Sequence, residues 1–172
     1  LLKFNSNMPA WGSRLPLEAL LRPYIGADTL FFLENAGKMT ARPLQKEPSL
    51  ASKRVLVVFA AWGLSACLID RGKILNGKNA LIGEIGHMVL NPEDPALCGG
   101  GSHGCFEALV SRHRIREFAL REQASYPASP LFCLPIEQLS AKEVFEACAK
   151  EDVLAGKICD YLAEWFAFGL RN

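Results

Sequence analysis

The feature that most restricts the fold is the order of the hydrophobic patterns along the chain. Apolar runs typical of strands buried on both faces occupy residues 29–33, 54–60 and 65–70. Helical patterns occupy approximately residues 106–123, 140–150 and 152–170. The middle helix should begin at a capping box that starts with Ser140. Strands followed by helices predict an α/β or α+β fold.

Shorter signals lie between these elements. Leucine spacing predicts a short helix within residues 15–24, and a tight polar turn at 70–73 predicts a hairpin. Residues 83–90 are expected to lead into a further strand, which is followed by a glycine- and proline-containing loop at 91–104.

Composition suits one globular domain or two small lobes. The chain is 50% hydrophobic, and 19 Lys and Arg against 18 Asp and Glu leave a net charge of +1. This balance argues against a nucleic-acid surface on this stretch, and no apolar run approaches the roughly 20 residues of a membrane span. No signal peptide is recognisable, and the chain is too long and too hydrophobic for a small disulfide-rich scaffold. Cys67, Cys148 and Cys159 are expected as buried free thiols. We therefore predict a cytoplasmic protein with no membrane partner.

Both termini resemble mid-chain sequence. The last helical pattern continues to Asn172 without a stop signal, and the first residues show no typical start. We therefore expect a fragment of a longer protein.

Residues 83–107 hold the densest set of chemically useful side chains. His87, Cys98, His103 and Cys105 are residue types that tetrahedral zinc prefers, and the glycines between the cysteines allow a tight loop. The usual closely paired cysteines are absent, however. Spacing alone therefore leaves open a glycine-rich surface loop with two free thiols and a solvated histidine.

Glu84, His87 and Glu107 form a second candidate group in the same segment. A carboxylate accepts two hydroxyl donors at once, so this set suits a polyhydroxylated ligand. The alternative is that Glu84 caps a turn and that Glu107 stands in the first turn of a helix, where the dipole favours it.

Gly-Glu-Ile-Gly-His at 83–87, Cys98 and Gly-Cys-Phe-Glu at 104–107 together resemble the signature of the ROK family of repressors, open reading frames and kinases. Residues 7–11 and 33–35 extend the resemblance, which covers essentially the whole chain. It implies an α/β fold of the actin-like, ribonuclease-H-like ATPase type, present in part.

The resemblance also implies a domain layout. It makes 1–172 a single partial effector domain, with 1–53 in the N-terminal lobe and the cleft. Residues 54–172 belong to the C-terminal lobe, which includes the Cys/His loop at 87–107. A DNA-binding domain and the first phosphate loop would lie upstream, outside this chain.

The same resemblance assigns roles to individual side chains. The residues implied to contact a sugar are Asn7, Asn35, Glu84, His87 and Glu107. The residues implied to bind zinc are His87, Cys98 and Cys105. Gly100 stands where the family has a further cysteine, so we expect an incomplete zinc site that His103 or water would close.

Departures from the family pattern concern phosphoryl transfer. Ala36 stands where family kinases have the aspartate that acts as general base, and a methyl group accepts no proton. Trp62 stands in the second phosphate loop, where an indole obstructs the approach of phosphate to backbone N–H groups. We therefore expect no catalytic residue and no bound ATP.

These observations predict the sugar-sensing effector domain of a ROK regulator of the NagC/Mlc type. Its partners would be a small sugar, a second copy of the chain in a dimer, and DNA through a region outside this chain. One alternative is an ATP-dependent hexose kinase. Another is a degenerate binding or scaffold protein that retains neither site.

Overall fold

The computed structural model describes residues 15–61, 63–78 and 81–172. The chain divides after Ile85 into two units, and each is described here by itself. The first unit contains the sheet, and the second is mainly helical. The lobe assignment with its boundary at residue 53 stays a prediction.

Three antiparallel strands form the sheet of the first unit, in the order β1-β2-β3. They are β1 (Arg54–Ala60), β2 (Leu64–Asp70) and β3 (Lys73–Ile74). Val57 of β1 lies opposite Cys67 of β2. Arg71 (φ 47°) and Gly72 (φ 75°) form the two-residue turn before β3, because such hairpin turns need positive φ at both positions. The strands at 54–60 and 65–70 and the hairpin are confirmed, but the predicted burial of the first strand on both faces is wrong, because β1 contains no buried residue.

Two short helices belong to the first unit. They are α1 (Leu17–Leu21), which continues into a 3-10 turn at Arg22–Tyr24, and α2 (Ala36–Ala41), which precedes 3-10 turns at Pro43–Lys46 and Pro48–Leu50. Helix α2 packs against β1 and β2, where Ala41, Cys67 and Ile69 form a small buried core. The sheet thereby positions the N-terminus of α2.

The strand predicted at residues 29–33 is wrong. This segment lies outside every strand, and Leu30 and Phe32 are each 81% exposed. A strand requires a neighbour that satisfies its backbone N–H and C=O groups, and no described strand pairs with this segment. Apolar composition therefore did not suffice to form a strand here.

The strand expected within residues 83–90 is also wrong. Ile85–His87 forms a 3-10 turn, and beyond it Val89 makes only an isolated antiparallel bridge with Cys105. The glycines at 83 and 86 interrupt the apolar alternation that would support a continuous ladder.

The helix predicted at 106–123 is present as two pieces. They are α3 (Phe106–Leu109) and α4 (Arg112–Glu122). Ser111 separates them, since its hydroxyl accepts a hydrogen bond from the Arg114 N–H at 3.1 Å and caps α4.

The second unit is organised around a larger hydrophobic core. Two further helices surround it, α5 (Ala141–Cys148) and α6 (Val153–Arg171), and the predicted capping box at Ser140 is confirmed. Its largest fully buried aliphatic side chains are Leu131, Leu139, Val144, Leu154 and Ile158. Within the described ranges, no helix is both long and apolar enough to cross a membrane.

Candidate functional site

Asn35 stands at the N-terminus of α2, and backbone geometry determines its orientation. Its Oδ1 accepts hydrogen bonds from the N–H groups of Gly37 at 2.8 Å and Lys38 at 3.4 Å. This capping leaves the amide nitrogen directed elsewhere, and Nδ2 donates to Oε1 of Glu84 at 3.2 Å. Two predicted sugar-contacting residues therefore meet, although 49 positions separate them in the sequence.

A glycine places Glu84 beside Asn35. The Ala66 N–H donates to the carbonyl oxygen of Gly83 at 2.6 Å, which joins this segment to β2. Gly83 has φ +100°, and a Cβ on it would lie 1.8 Å from the Ala66 oxygen. Only glycine allows this close approach, so Gly83 sets the position of the carboxylate that follows it.

The residues on either side of Asn35 in the sequence determine whether a proton acceptor is available at the N-terminus of α2. Ala36 is the first residue of α2 and carries no proton acceptor. Glu34, on the other side, accepts from the Asn35 N–H at 3.0 Å and pairs with Arg42 at 3.2 Å. The one carboxylate next to Asn35 in sequence is therefore occupied by structural contacts.

Lys38 is a residue whose position the sequence patterns did not reveal. Its side chain lies in the first unit with only 3% exposure. Burial raises the pKa of the nearby Cys67 thiol, and the positive charge of Lys38 opposes that rise. A lysine in a helix is ordinarily exposed to solvent, so no sequence pattern indicates that Lys38 is buried. Its burial results from the packing of α2 against the sheet.

The Cys/His loop folds tightly in the second unit. The Cys98 N–H donates to the Ser102 carbonyl at 2.9 Å, and Leu97 forms a bridge with His103. Gly104 has φ +61°, and a Cβ on it would lie 1.6 Å from the carbonyl oxygen of Asn91. The glycines therefore allow both cysteines to enter one buried cluster.

Three of the predicted zinc ligands, His87, Cys98 and Cys105, interact with one another through sulfur and nitrogen atoms. The Cys98 Sγ lies 3.6 Å from the Nδ1 of His87. Burial disfavours the Cys98 thiolate, but hydrogen bonds with Cys105, with His87 and with the backbone of Ser102 and Gly100 together outweigh it and lower the pKa of Cys98 to about 7. Burial and the hydrogen bond with Cys98 raise the pKa of Cys105 to about 12. The Cys105 thiol donates to the Ser102 carbonyl oxygen at 3.8 Å.

Gly100 lies directly beside these groups, and a side chain there would require the His87 ring to shift slightly. A Cβ at this position would lie 3.0 Å from the His87 Nδ1 and 3.5 Å from the Cys98 Sγ. A cysteine at position 100 would therefore bring a third sulfur to the cluster, and glycine brings none.

His103 has a different partner from the one expected. Its ring is exposed, and its Nδ1 makes a 2.9 Å hydrogen bond with the Pro95 carbonyl oxygen. Across the described ranges, no group of three or more His, Cys, Asp or Glu side chains is arranged to hold a metal ion. The residues present do not form a ready-made zinc site, and the zinc site stays a prediction.

The remaining predicted residues are dispersed. Glu107 lies in the first turn of α3, half-buried, in the second unit. Asn7 and Trp62 fall outside the described residues. The structure thus joins Asn35 to Glu84 in the first unit, and His87 to Cys98 and Cys105 in the second.

Comparison with known proteins gives this arrangement a context. The model of the ROK family matches residues 7–172. A glucokinase of Halalkalibacterium halodurans is 32% identical over 124 residues, which cover 70% of this chain and 37% of the relative.

Two solved structures share the fold. The ROK glucokinase of Streptomyces griseus, crystallised with glucose and AMPPNP, superposes with a TM-score of 0.77 at 25% identity, covering 92% of this chain and 52% of that one. A ROK transcriptional regulator, a homologue of the E. coli MLC protein, gives a TM-score of 0.63 at 27% identity, covering 76% of this chain and 33% of that one.

The chain therefore spans between about a third and about a half of the length of these proteins. The expected α/β fold of the actin-like ATPase type is confirmed, in part of its full extent. A family match over residues 7–172 and these superpositions agree with the motif at 83–107, and the chain belongs to the ROK family.

Proposed function

We propose that this chain is the sugar-binding part of a ROK transcriptional regulator that senses a sugar without phosphorylating it. The observation that carries the proposal is the contact between Asn35 and Glu84 directly beside Ala36. Groups suited to sugar hydroxyls remain, whereas the adjacent position for a general base is a methyl group.

The carboxylate of Glu84 suits a hydroxyl-rich ligand. Asn35 donates to its Oε1 and thereby holds the side chain in one orientation. Each carboxylate oxygen accepts more than one hydrogen bond, so Glu84 retains acceptor capacity for a pair of sugar hydroxyls. Such charge-assisted hydrogen bonds are stronger than those between neutral groups.

A kinase would need another base near Asn35. Glu34 is the adjacent candidate, but Arg42 and the Asn35 N–H already hold its two oxygens. These two contacts hold the Glu34 side chain in place, so it would have to leave both partners to act as the base. This occupation of Glu34 favours the sensor over the hexose kinase.

The proposal extends to partners. The proteins that superpose on this chain include one ROK glucokinase and one ROK transcriptional regulator. In the proposed regulator, sugar binding would favour one conformation of a dimer over another, and DNA would contact a region outside this chain. Zinc would order the Cys/His loop and would have no step in phosphoryl transfer.

Calorimetric titration of the protein with glucose and N-acetylmannosamine tests the proposal. We expect binding of at least one of these sugars, and an affinity loss of at least about tenfold for Glu84→Gln, one charge-assisted hydrogen bond being worth that much. Glu93→Gln alters an exposed carboxylate in the second unit and should leave the affinity unchanged.

A coupled assay for ATP-dependent sugar phosphorylation is the second arm. We expect no turnover above background. Turnover that Glu84→Gln abolishes would establish the kinase instead, and absence of binding to any sugar would favour the degenerate scaffold.

A further inference from the structure

A cavity of about 480 Å³ lies in the second unit, where α4, α6 and the loop at 91–94 meet. Its volume falls within the range of sites that take small organic ligands. The cavity shares no residue with the contact between Asn35 and Glu84. Its lining combines aromatic rings with charged side chains of both signs, and these determine which ligand would fit.

Aromatic rings supply the apolar part of the lining. The ring centroid of Tyr161 lies 5.4 Å from that of Phe118 and 6.4 Å from that of Trp165. The Tyr161 hydroxyl donates to the Leu109 carbonyl oxygen at 3.1 Å, which fixes the orientation of this ring. The guanidinium carbon of Arg121 lies 4.8 Å from the centroid of the Phe118 ring. Aromatic rings and a planar guanidinium are surfaces on which a planar aromatic molecule stacks.

Arg114 supplies the hydrogen-bond donors of the lining. Its side chain is 18% exposed, and its guanidinium pairs with Asp94 through Nη2 and with Glu117 through Nη1, the latter at 3.4 Å. Its Nε is buried and has no hydrogen-bond partner within the described ranges. Because a buried N–H without an acceptor costs free energy, an oxygen acceptor that entered beside this guanidinium would be stabilised.

The charges around Arg114 select an uncharged acceptor. Asp94 and Glu117 both lie against the guanidinium, so an incoming carboxylate or phosphate would meet two negative charges at close range. The positive charge of Arg121 balances the second of these carboxylates. A carbonyl oxygen, which accepts a hydrogen bond without adding charge, fits this environment.

Asp94 offers an acceptor next to these donors. Among the described residues, its hydrogen bonds come from the Ala96 N–H at 2.9 Å and from Arg114, and both engage Oδ1. Its Oδ2 is therefore available to accept from a ligand. A ligand that carries an N–H next to a carbonyl oxygen would engage Asp94 and Arg114 together, and the lactam edge of a planar heterocycle has this arrangement.

We propose that this cavity binds a planar heterocycle with a lactam edge, of the class represented by the 6-oxopurine nucleoside inosine. The ring stacks on the aromatic side chains, its carbonyl oxygen accepts from Arg114, and its ring N–H donates to Oδ2 of Asp94. Adenosine has the same ring system with this edge reversed, so that an amino group faces Arg114 and a lone pair faces the Asp94 carboxylate. A site whose polar groups are left unpaired in this way discriminates strongly. This inference is independent of the proposed function.

Calorimetric titration of the wild-type protein with inosine and with adenosine tests the proposal. We expect inosine to bind and adenosine to bind at least about tenfold more weakly, because an unpaired buried polar group costs that much. Stacking in the cavity should also quench the fluorescence of Trp165. Equal affinities for the two nucleosides, or no binding of inosine, would overturn the proposal.

Three variants locate the binding. Arg114→Lys keeps a positive charge beside Asp94 but removes the Nε donor, so the affinity for inosine should fall at least about tenfold. Arg171→Lys makes the same exchange at an exposed arginine of α6 and should leave the affinity unchanged. Trp165→Phe should remove the quench and retain calorimetric binding. An unchanged affinity in Arg114→Lys, or a quench that persists in Trp165→Phe, would contradict the assignment to this cavity.

Two measurements on the wild-type protein guard against a variant that fails to fold. The comparison of inosine with adenosine needs no substitution and decides the proposal by itself. Excess glucose should not displace inosine, since a sugar has no planar ring to stack. Displacement would show that the cavity takes hydroxyl-rich ligands and would overturn the proposal, whereas failure of the protein to bind any sugar would contradict only the proposed function.

Discussion

The two units of this chain bury their apolar side chains to very different degrees. In the second unit, Leu154 and Ile158 are fully buried at 0% exposure within a core of ten buried side chains. Among the described residues of the first unit, the corresponding core contains three buried residues, and Leu30 and Phe32 are 81% exposed. Of the described residues, those of the second unit therefore provide the larger apolar core, whereas the contact between Asn35 and Glu84 belongs to the first unit.

Two apolar runs of the first unit show why its core is small. Residues 54–60 form a strand because β2 pairs with every one of them, and residues 29–33 find no such partner among the described residues. Hydrophobicity favours burial in both runs, but only hydrogen-bonded pairing makes a strand. Truncations in the two units should therefore have unequal effects.

The largest effect is expected from the core of the second unit. Ile158→Ala should lower the free energy of unfolding by about 2–5 kcal/mol, because it leaves a cavity in fully buried packing. Leu56→Ala, at a side chain that is 49% exposed in β1, should cost less than about 1 kcal/mol. Urea unfolding measures both, and equal losses would refute the contrast between the units.

Glycines in the two units provide a second contrast. Gly83→Ala and Gly104→Ala each place a Cβ within 2 Å of a backbone oxygen at positive φ, at 1.8 Å and 1.6 Å respectively. Each should cost about 3 kcal/mol locally. Hydrogen exchange should show the loss of stability in the first unit for Gly83→Ala and in the second unit for Gly104→Ala. Calorimetry should also show weaker sugar binding for Gly83→Ala.

Gly101→Ala is the matched control for this pair. Position 101 has φ +84° but no atom within 4 Å of an added Cβ, so only the backbone strain of about 1 kcal/mol remains. If Gly101→Ala loses as much stability as Gly104→Ala, backbone strain and not the close contact determines the cost of an added Cβ.

The incomplete ligand set of the Cys/His loop predicts a gain of metal binding. Gly100→Cys brings a sulfur beside His87 and Cys98, so zinc affinity should rise by at least about tenfold. Competition with a chromophoric chelator measures the affinity. Gly99→Cys serves as the control, and an equal rise there would show that any added thiol in the loop suffices.

The pKa of Cys98 predicts a pH dependence of the metal-free protein. Because this pKa is lowered from 9.0 to about 7 in the folded state, the thiolate stabilises the fold above about pH 9. That stabilisation should fall as the pH decreases from about 9 through 7. The Tm difference between the wild-type protein and Cys98→Ser, measured with a chelator present, should decrease over the same interval, and a constant difference would contradict the assignment.

The smallest effect is expected in the exposed apolar run. Phe32→Ser should change the free energy of unfolding by less than about 0.5 kcal/mol, since the ring is 81% exposed. Thermal unfolding measures it. A large loss of stability would show that residues 29–33 are buried in solution. The contrast in burial between the two units would then be smaller.

Sequence alone determined the elements whose signals are local. The capping box at Ser140, the hairpin turn at Arg71 and Gly72, and strands β1 and β2 all follow from residues within a few positions of one another. The family motif at 83–107 likewise identified the segment that carries the glutamate and the Cys/His loop.

Only the tertiary structure decided which distant groups meet. Asn35 and Glu84 lie 49 positions apart, and His103 bonds to the carbonyl oxygen of Pro95. Backbone partners and close packing decide these contacts, and neither is encoded by the residues nearby in sequence. The same reason explains why residues 29–33, apolar enough for a strand, did not form one.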